Sequence, residues 1–89
     1  METLTTSART ATITVTAGKT YALASNGPML GATVNVAASI AGDDTTQVPL
    51  YSFDSHKPMT YPANGSKIFL ELVGGTGSTS VKFSATELS

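Results

Sequence analysis

Between Leu30 and Ile40 the chain alternates at every step. Leu30, Ala32, Val34, Val36, Ala38 and Ile40 are apolar, while Gly31, Thr33, Asn35, Ala37 and Ser39 are small or polar. Strand side chains repeat every two residues, so the run predicts one extended strand with an apolar face and a mild face. On a helix the same apolar residues would scatter around the axis. The alternation points to an antiparallel sheet with one face buried. At roughly 35 Å when extended, such a strand is long enough to bend and serve two sheets, with Gly31 or the Ala37-Ala38 pair easing the bend.

The same period recurs elsewhere. Arg9 to Thr16 sets Ala11, Ile13 and Val15 inward against Thr10, Thr12, Thr14 and Thr16, and threonine suits a solvated strand face. Ala17-Gly18-Lys19 turns the chain, and Thr20 to Ser25 follows with Tyr21 and Leu23 on one face. Asn26-Gly27-Pro28 and Gly42-Asp43-Asp44 bracket the long run with turn chemistry. Thr45 to Phe53 contains Pro49, which has no amide to donate and so puts this strand at an edge or on a bulge. Residues 54–64 are irregular, with a short strand near Met59 to Tyr61. Asn64-Gly65 is a hairpin-type turn signal. Ser66 to Val73 carries Ile68, Leu70 and Leu72 on one face, Gly74-Gly75-Thr76-Gly77 is a loose hairpin connection, and Thr79 to Leu88 aligns Val81, Phe83 and Ala85. Hairpins are thus expected over Arg9–Ser25 and Ser66–Leu88.

No segment shows helical spacing with caps. About seven short strands separated by turn signals predict an all-β fold, a small antiparallel β-sandwich or jelly-roll-like barrel. Residues 1–9 are polar and without period. They are expected as an extended N-terminal arm ahead of a single β-sandwich domain over 10–89.

Charge changes the picture more than length does. Charged residues make up 12% of the 89, against roughly 25% in ordinary soluble domains. The net charge is −1, and Ser and Thr supply roughly a quarter of the chain. That balance suits a protein packed in an assembly or secreted. Arg9, Lys19, Lys57, Lys67 and Lys82 are scattered and form no basic patch, so no nucleic-acid partner is expected. No apolar run approaches the ~18–20 residues of a membrane helix. The first nine residues lack the basic and apolar regions of a secretory signal, so neither a membrane nor a leader is expected. The chain has no cysteine, and a stability on the order of 5–13 kcal/mol must come from packing alone.

Candidate chemistry is sparse. Asp54-Ser55-His56 has the letters of a catalytic triad, but sequence neighbours cannot take up that geometry. The only histidine lacks ligand spacing around it. Asp43 and Asp44 read as turn residues rather than as a calcium site, which needs 6–8 oxygens. The glycines at 74–77 lack the lysine and helix of a phosphate loop, and the sequon Asn64-Gly65-Ser66 is read as a coincidence. No enzyme activity, cofactor or metal is expected. The unusual feature is apolar residues on both faces of two strands. Val48 and Leu50 oppose Tyr51 and Phe53, and Ile68, Leu70 and Leu72 oppose Phe69 and Val73, with Glu71 among them. Either a bulge near Pro49 carries Tyr51 and Phe53 to the core face, or these faces meet another subunit. Tyr51, Phe53, Met59 and Tyr61 are the interface candidates.

The runs Thr14-Val15-Thr16-Ala17-Gly18-Lys19-Thr20-Tyr21, Val48-Pro49-Leu50 and Asn64-Gly65-Ser66-Lys67 resemble the texture of small β-rich virion proteins of tailed bacteriophages, most closely capsid decoration (cement) proteins. The likeness spans about residues 10 to 88. It implies a non-enzymatic structural protein on the capsid surface, made in the host cytoplasm. Such a protein binds the major capsid protein of an assembled head, often as a homotrimer where capsomers meet, and stabilises the shell. Similar textures occur in tail and fibre modules. The alternative expectation is therefore an adhesion module that binds host-surface glycan through Tyr51 or Tyr61.

Overall fold

The computed structural model describes residues 2–40, 42–56 and 58–88, with Asp44 described by its backbone alone. Met1, Ala41, Lys57 and Ser89, which include the outer bounds of the expected arm (1–9) and domain (10–89), lie outside the described residues. Eight strands follow one another: β1 (Glu2–Thr5), β2 (Thr10–Thr14), β3 (Thr20–Asn26), β4 (Thr33–Ile40), β5 (Asp43–Phe53), β6 (Met59–Pro62), β7 (Lys67–Val73) and β8 (Ser80–Glu87). They form two four-stranded antiparallel sheets, ordered β1-β8-β3-β6 and β2-β7-β4-β5.

The pairing is nested. β1 pairs with β8, β2 with β7, β3 with β6 and β4 with β5. The chain is one long antiparallel ribbon, doubled back at Gly42 and rolled so that β3 also pairs with β8 and β4 with β7. That order is the jelly roll, two Greek keys wrapped as a double sheet, so the expected all-β sandwich is the observed fold. Its core is made by the alternate residues that face inward from both sheets. Leu4, Leu23, Val34, Ile68, Leu72, Val81 and Phe83 are all essentially sealed from solvent.

The strand count is eight because the segment expected as an arm is built into the sandwich. Glu2–Thr5 is extended, but it pairs along β8 in the register Glu2↔Phe83 to Thr5↔Ser80. Leu4 supplies the side chain that fixes it there, at 0% exposure. A polar segment with one leucine shows no periodicity, yet one leucine suffices for a four-residue edge strand.

The long alternating run is also shorter than its pattern. Leu30 and Gly31 both adopt left-handed backbone, with φ of 50° and 84°. They form a turn closed by the Ala32 amide donating to the Met29 carbonyl at 3.1 Å, so the strand begins at Thr33. It stays in one sheet and does not bridge two. At its far end the alternation inverts, with Ser39 buried at 1% exposure and Ile40 exposed at 44%. A register shift between Ala38 and Ile40 permits this. The Ser39 hydroxyl drives it inward, accepting hydrogen bonds from the Ser66 and Lys67 amides at 3.1 and 3.0 Å.

β5 shows both consequences expected of Pro49. It is the edge strand of its sheet, and its register skips Leu50, with Val36 opposite Tyr51 and Ala37 opposite Pro49. That bulge returns Tyr51 and Phe53 to the side of buried Val36 and Val34. The expected hairpins over Arg9–Ser25 and Ser66–Leu88, and the hairpin reading of Asn64-Gly65, are overturned. β2 and β3, β6 and β7, and β7 and β8 lie in different sheets, so those turns are arches over the core. Turn residues reverse the chain in either case; the inward face on each side decides whether the strands pair or stack.

Candidate functional site

Two surfaces carry the residues of interest. The first is the side of the sandwich bounded by the edge strands β5 and β6. Here a notch of about 280 Å³ is lined by Tyr51, Ser52, Phe53, Asp54, Pro58 and Met59. Three of the four expected interface residues therefore meet in one place. Met59 is exposed at 38%. Tyr51 is half-buried, with its ring centroid 5.6 Å from that of Phe53, and burial pushes its phenol above the ordinary value. Phe53 is a core residue stacked 6.2 Å from Phe83, showing only its margin to the notch. Tyr61 does not belong to this surface at all. It lies on β6 opposite Tyr21 and is buried in the core. As interface residues Phe53 and Tyr61 are thus corrected to core. The β5 bulge and the inward face of β6 take them there.

The second surface is the outer face of the β2-β7-β4-β5 sheet, where a depression of about 890 Å³ crosses the strands. Two rows of side chains define it, one from each strand. Thr10, Glu71, Asn35 and Ser52 stand in register as a polar row, and Thr12, Phe69, Ala37 and Pro49 as a mostly apolar one. The polar row is already organised. The Ser52 hydroxyl donates to Asn35 Oδ1 at 2.5 Å, and Asn35 Nδ2 donates to Glu71 Oε1 at 3.5 Å. Phe69 and Glu71 stood out in the sequence because they share the face opposite Ile68, Leu70 and Leu72. Thr10, Asn35 and Ser52 did not, because nothing in a linear pattern says which strands will be neighbours.

Other polar groups have local tasks. His56 does not engage Ser55. Its Nε2 lies 2.6 Å from the Gly27 carbonyl and its Nδ1 lies 2.7 Å from the Ser25 hydroxyl. A carbonyl can only accept, so in the neutral ring Nε2 carries the proton and Nδ1 accepts from Ser25. The pair ties the β5–β6 connection to the end of β3. Among the described residues no three His, Asp or Glu side chains converge as metal ligands would.

Asp43 organises the start of β5. Its carboxylate accepts from the Thr45 amide and hydroxyl, each at 2.9 Å, and from the Thr46 amide and hydroxyl at 3.1 and 2.5 Å. These bonds, the Thr46 hydroxyl foremost, hold the carboxyl well below the usual aspartate range. A depressed folded-state value gives stability that is present above the unfolded value and is lost as pH falls through the folded one. Asp43 is therefore expected to remain ionised at about pH 3, where an ordinary aspartate is mostly protonated. A carboxyl ¹³C titration followed by NMR checks this, and a midpoint at the ordinary aspartate value would refute it.

A search of family models, curated proteins and solved structures finds no match to this chain.

Proposed function

We propose that the protein is a structural docking module of a virion, a decoration (cement) component that attaches to the assembled head of a tailed phage and reinforces it. The observation that carries this reading is the β5/β6 side of the sandwich. β5 runs eleven residues along an open edge, with Val48 and Leu50 exposed on it, Leu50 at the rim of the outer-face depression, and Met59 exposed on β6. Beside Met59 lies the notch, lined by half-buried Tyr51 and the margin of the core residue Phe53. An open edge invites indiscriminate strand pairing, and natural sheets guard such edges with proline and bulges. Pro49 and the bulge at Leu50 are that guard, so attachment here proceeds through apolar side chains rather than by an added strand. The low charge fits burial in an assembly, and many copies on a repeating shell add their weak contacts by avidity. Jelly rolls occur among viral capsid domains, which agrees with this reading.

The direct test is co-sedimentation with purified shells that lack the protein, with copy number measured by quantitative mass spectrometry. The protein is expected to pellet with the shells in hundreds of copies, as a homo-oligomer, and to raise their temperature of disruption. The double substitution L50D/M59D, both at exposed positions, is expected to abolish pelleting while leaving the thermal melt of the free protein in place. A protein that stays in the supernatant, or a double variant that pellets as well as the parent, would sink the proposal.

A further inference from the structure

We infer that the outer face of the β2-β7-β4-β5 sheet is a binding site for a neutral oligosaccharide laid across the strands. The two rows of side chains are chemically different and run side by side. Thr10, Glu71, Asn35 and Ser52 offer hydroxyl, carboxylate and amide groups, and Phe69, Ala37 and Pro49 offer a ring and aliphatic carbon. A sugar chain has the matching division, with hydroxyls around the ring edge and a patch of C–H groups on the ring face.

The charges lining the depression favour a neutral ligand, with Lys67 on the same face of β7 but outside the lining. Glu71 is the only formally charged side chain on the two rows. It disfavours phosphates and other anions over the polar row. A cation would meet a single carboxylate already engaged by Asn35. A lipid or other wholly apolar ligand would strip water from four polar side chains without replacing their hydrogen bonds.

Geometry favours an extended ligand over a compact one. The depression spans all four strands. Neighbouring strands are about 4.7–4.9 Å apart, close to the length of one pyranose ring, so each strand presents one polar group per sugar. The polar row is also preorganised. Ser52 and Glu71 hold the Asn35 amide in one orientation. That leaves its second N–H, the second Glu71 oxygen, the Thr10 hydroxyl and the Ser52 lone pairs for a ligand's hydroxyls. Side chains fixed on a sheet before the ligand arrives lose little freedom on binding. Neither Tyr51 nor Tyr61 is needed as a stacking plate. Phe69 takes that role.

The test is titration of the ¹⁵N-labelled protein with neutral hexasaccharides of glucose, α-linked and β-linked, and of N-acetylglucosamine, each to millimolar concentration, with oligogalacturonate as the anionic contrast. At least one neutral saccharide is expected to shift the amides of Asn35, Ser52, Phe69 and Glu71 together. Asn35→Ala, at a face that supports no core residue, is expected to weaken binding about tenfold with an unchanged melt, and Phe69→Ala to weaken it comparably. Three results would each overturn the inference. They are no neutral saccharide moving these amides, oligogalacturonate binding as well as the neutral chains, or Asn35→Ala binding like the parent. Shifts of the same amides with protein concentration alone would mark the face as a self-association surface and overturn it too. Shell docking is scored separately, because Asn35→Ala is expected to pellet with shells like the parent.

Discussion

Leu4→Ala is expected to lower the unfolding free energy by about 2–5 kcal/mol, read from chemical denaturation with an unchanged slope. The whole stability of a domain this size is on the order of 5–13 kcal/mol, so the variant loses a large share of it. The reasoning rests on one side chain. Leu4 is wholly buried, and it is the only large apolar residue of β1. Removing it leaves a cavity between the sheets and also releases the strand that covers the outer edge of β8. Truncation to alanine therefore loses transfer energy, cavity energy and the grip of a whole edge strand. Were residues 1–9 a free arm, the same change would fall within about 0.5 kcal/mol of zero, as surface substitutions do. The measurement thus decides whether the N-terminal segment is part of the domain.

Gly65→Ala is expected to cost at least about 3 kcal/mol, although it adds only a methyl group at an exposed-looking Asn-Gly turn. A Cβ at Gly65 would stand 2.5 Å from the Ser39 hydroxyl and closer still to the Ser39 carbonyl oxygen. The carbonyl is backbone held in β4, and the hydroxyl is a side chain pinned by two amides. The same hydroxyl holds the Ser66 and Lys67 amides, so displacing it unfastens the start of β7 as well. Gly77→Ala serves as the control. Apart from its own chain neighbours, no atom lies within 4 Å of its would-be Cβ, and its melt should match the parent. A Gly65→Ala protein as stable as the Gly77→Ala protein would show that the arch between β6 and β7 can open without cost.

These two positions mark where linear reading stops. The alternation over Thr33–Ala38, Thr20–Asn26 and Lys67–Val73 announces strands and their inward faces. Pro49 announces both an edge and a bulge, because a missing amide has the same meaning in any sheet. Leu4 and Ser39 are different. A lone leucine in a polar stretch has no period, and a serine in an alternating run looks outward until its hydroxyl is seen between two amides from another strand. Gly65 reads as a turn residue from sequence. Its actual role is to let two backbones come close, which depends on a segment 26 residues earlier in the chain. The candidate sites divide in the same way. Tyr51 and Met59 could be picked out as apolar residues near a proline-bearing edge. The row formed by Thr10, Glu71, Asn35 and Ser52 exists only once β2, β7, β4 and β5 are set side by side.

The nested ribbon also has a meaning in time. Its contacts range from near neighbours at the inner hairpin, Ile40 with Asp43, to opposite ends of the chain, Glu2 with Phe83. A pair formed at the outside first must close most of the chain, whereas pairing that starts at the inner hairpin closes only the short connections next to it at each step and is the cheaper route in chain entropy. Topologies so rich in distant contacts fold in milliseconds to seconds rather than microseconds. During synthesis β1 is made first and β8 last, so the first strand to leave the ribosome waits for the final one. Until β8 arrives, β1 has no partner and β3 lacks one of its two, and the nascent chain must stay soluble with so few charges to help it.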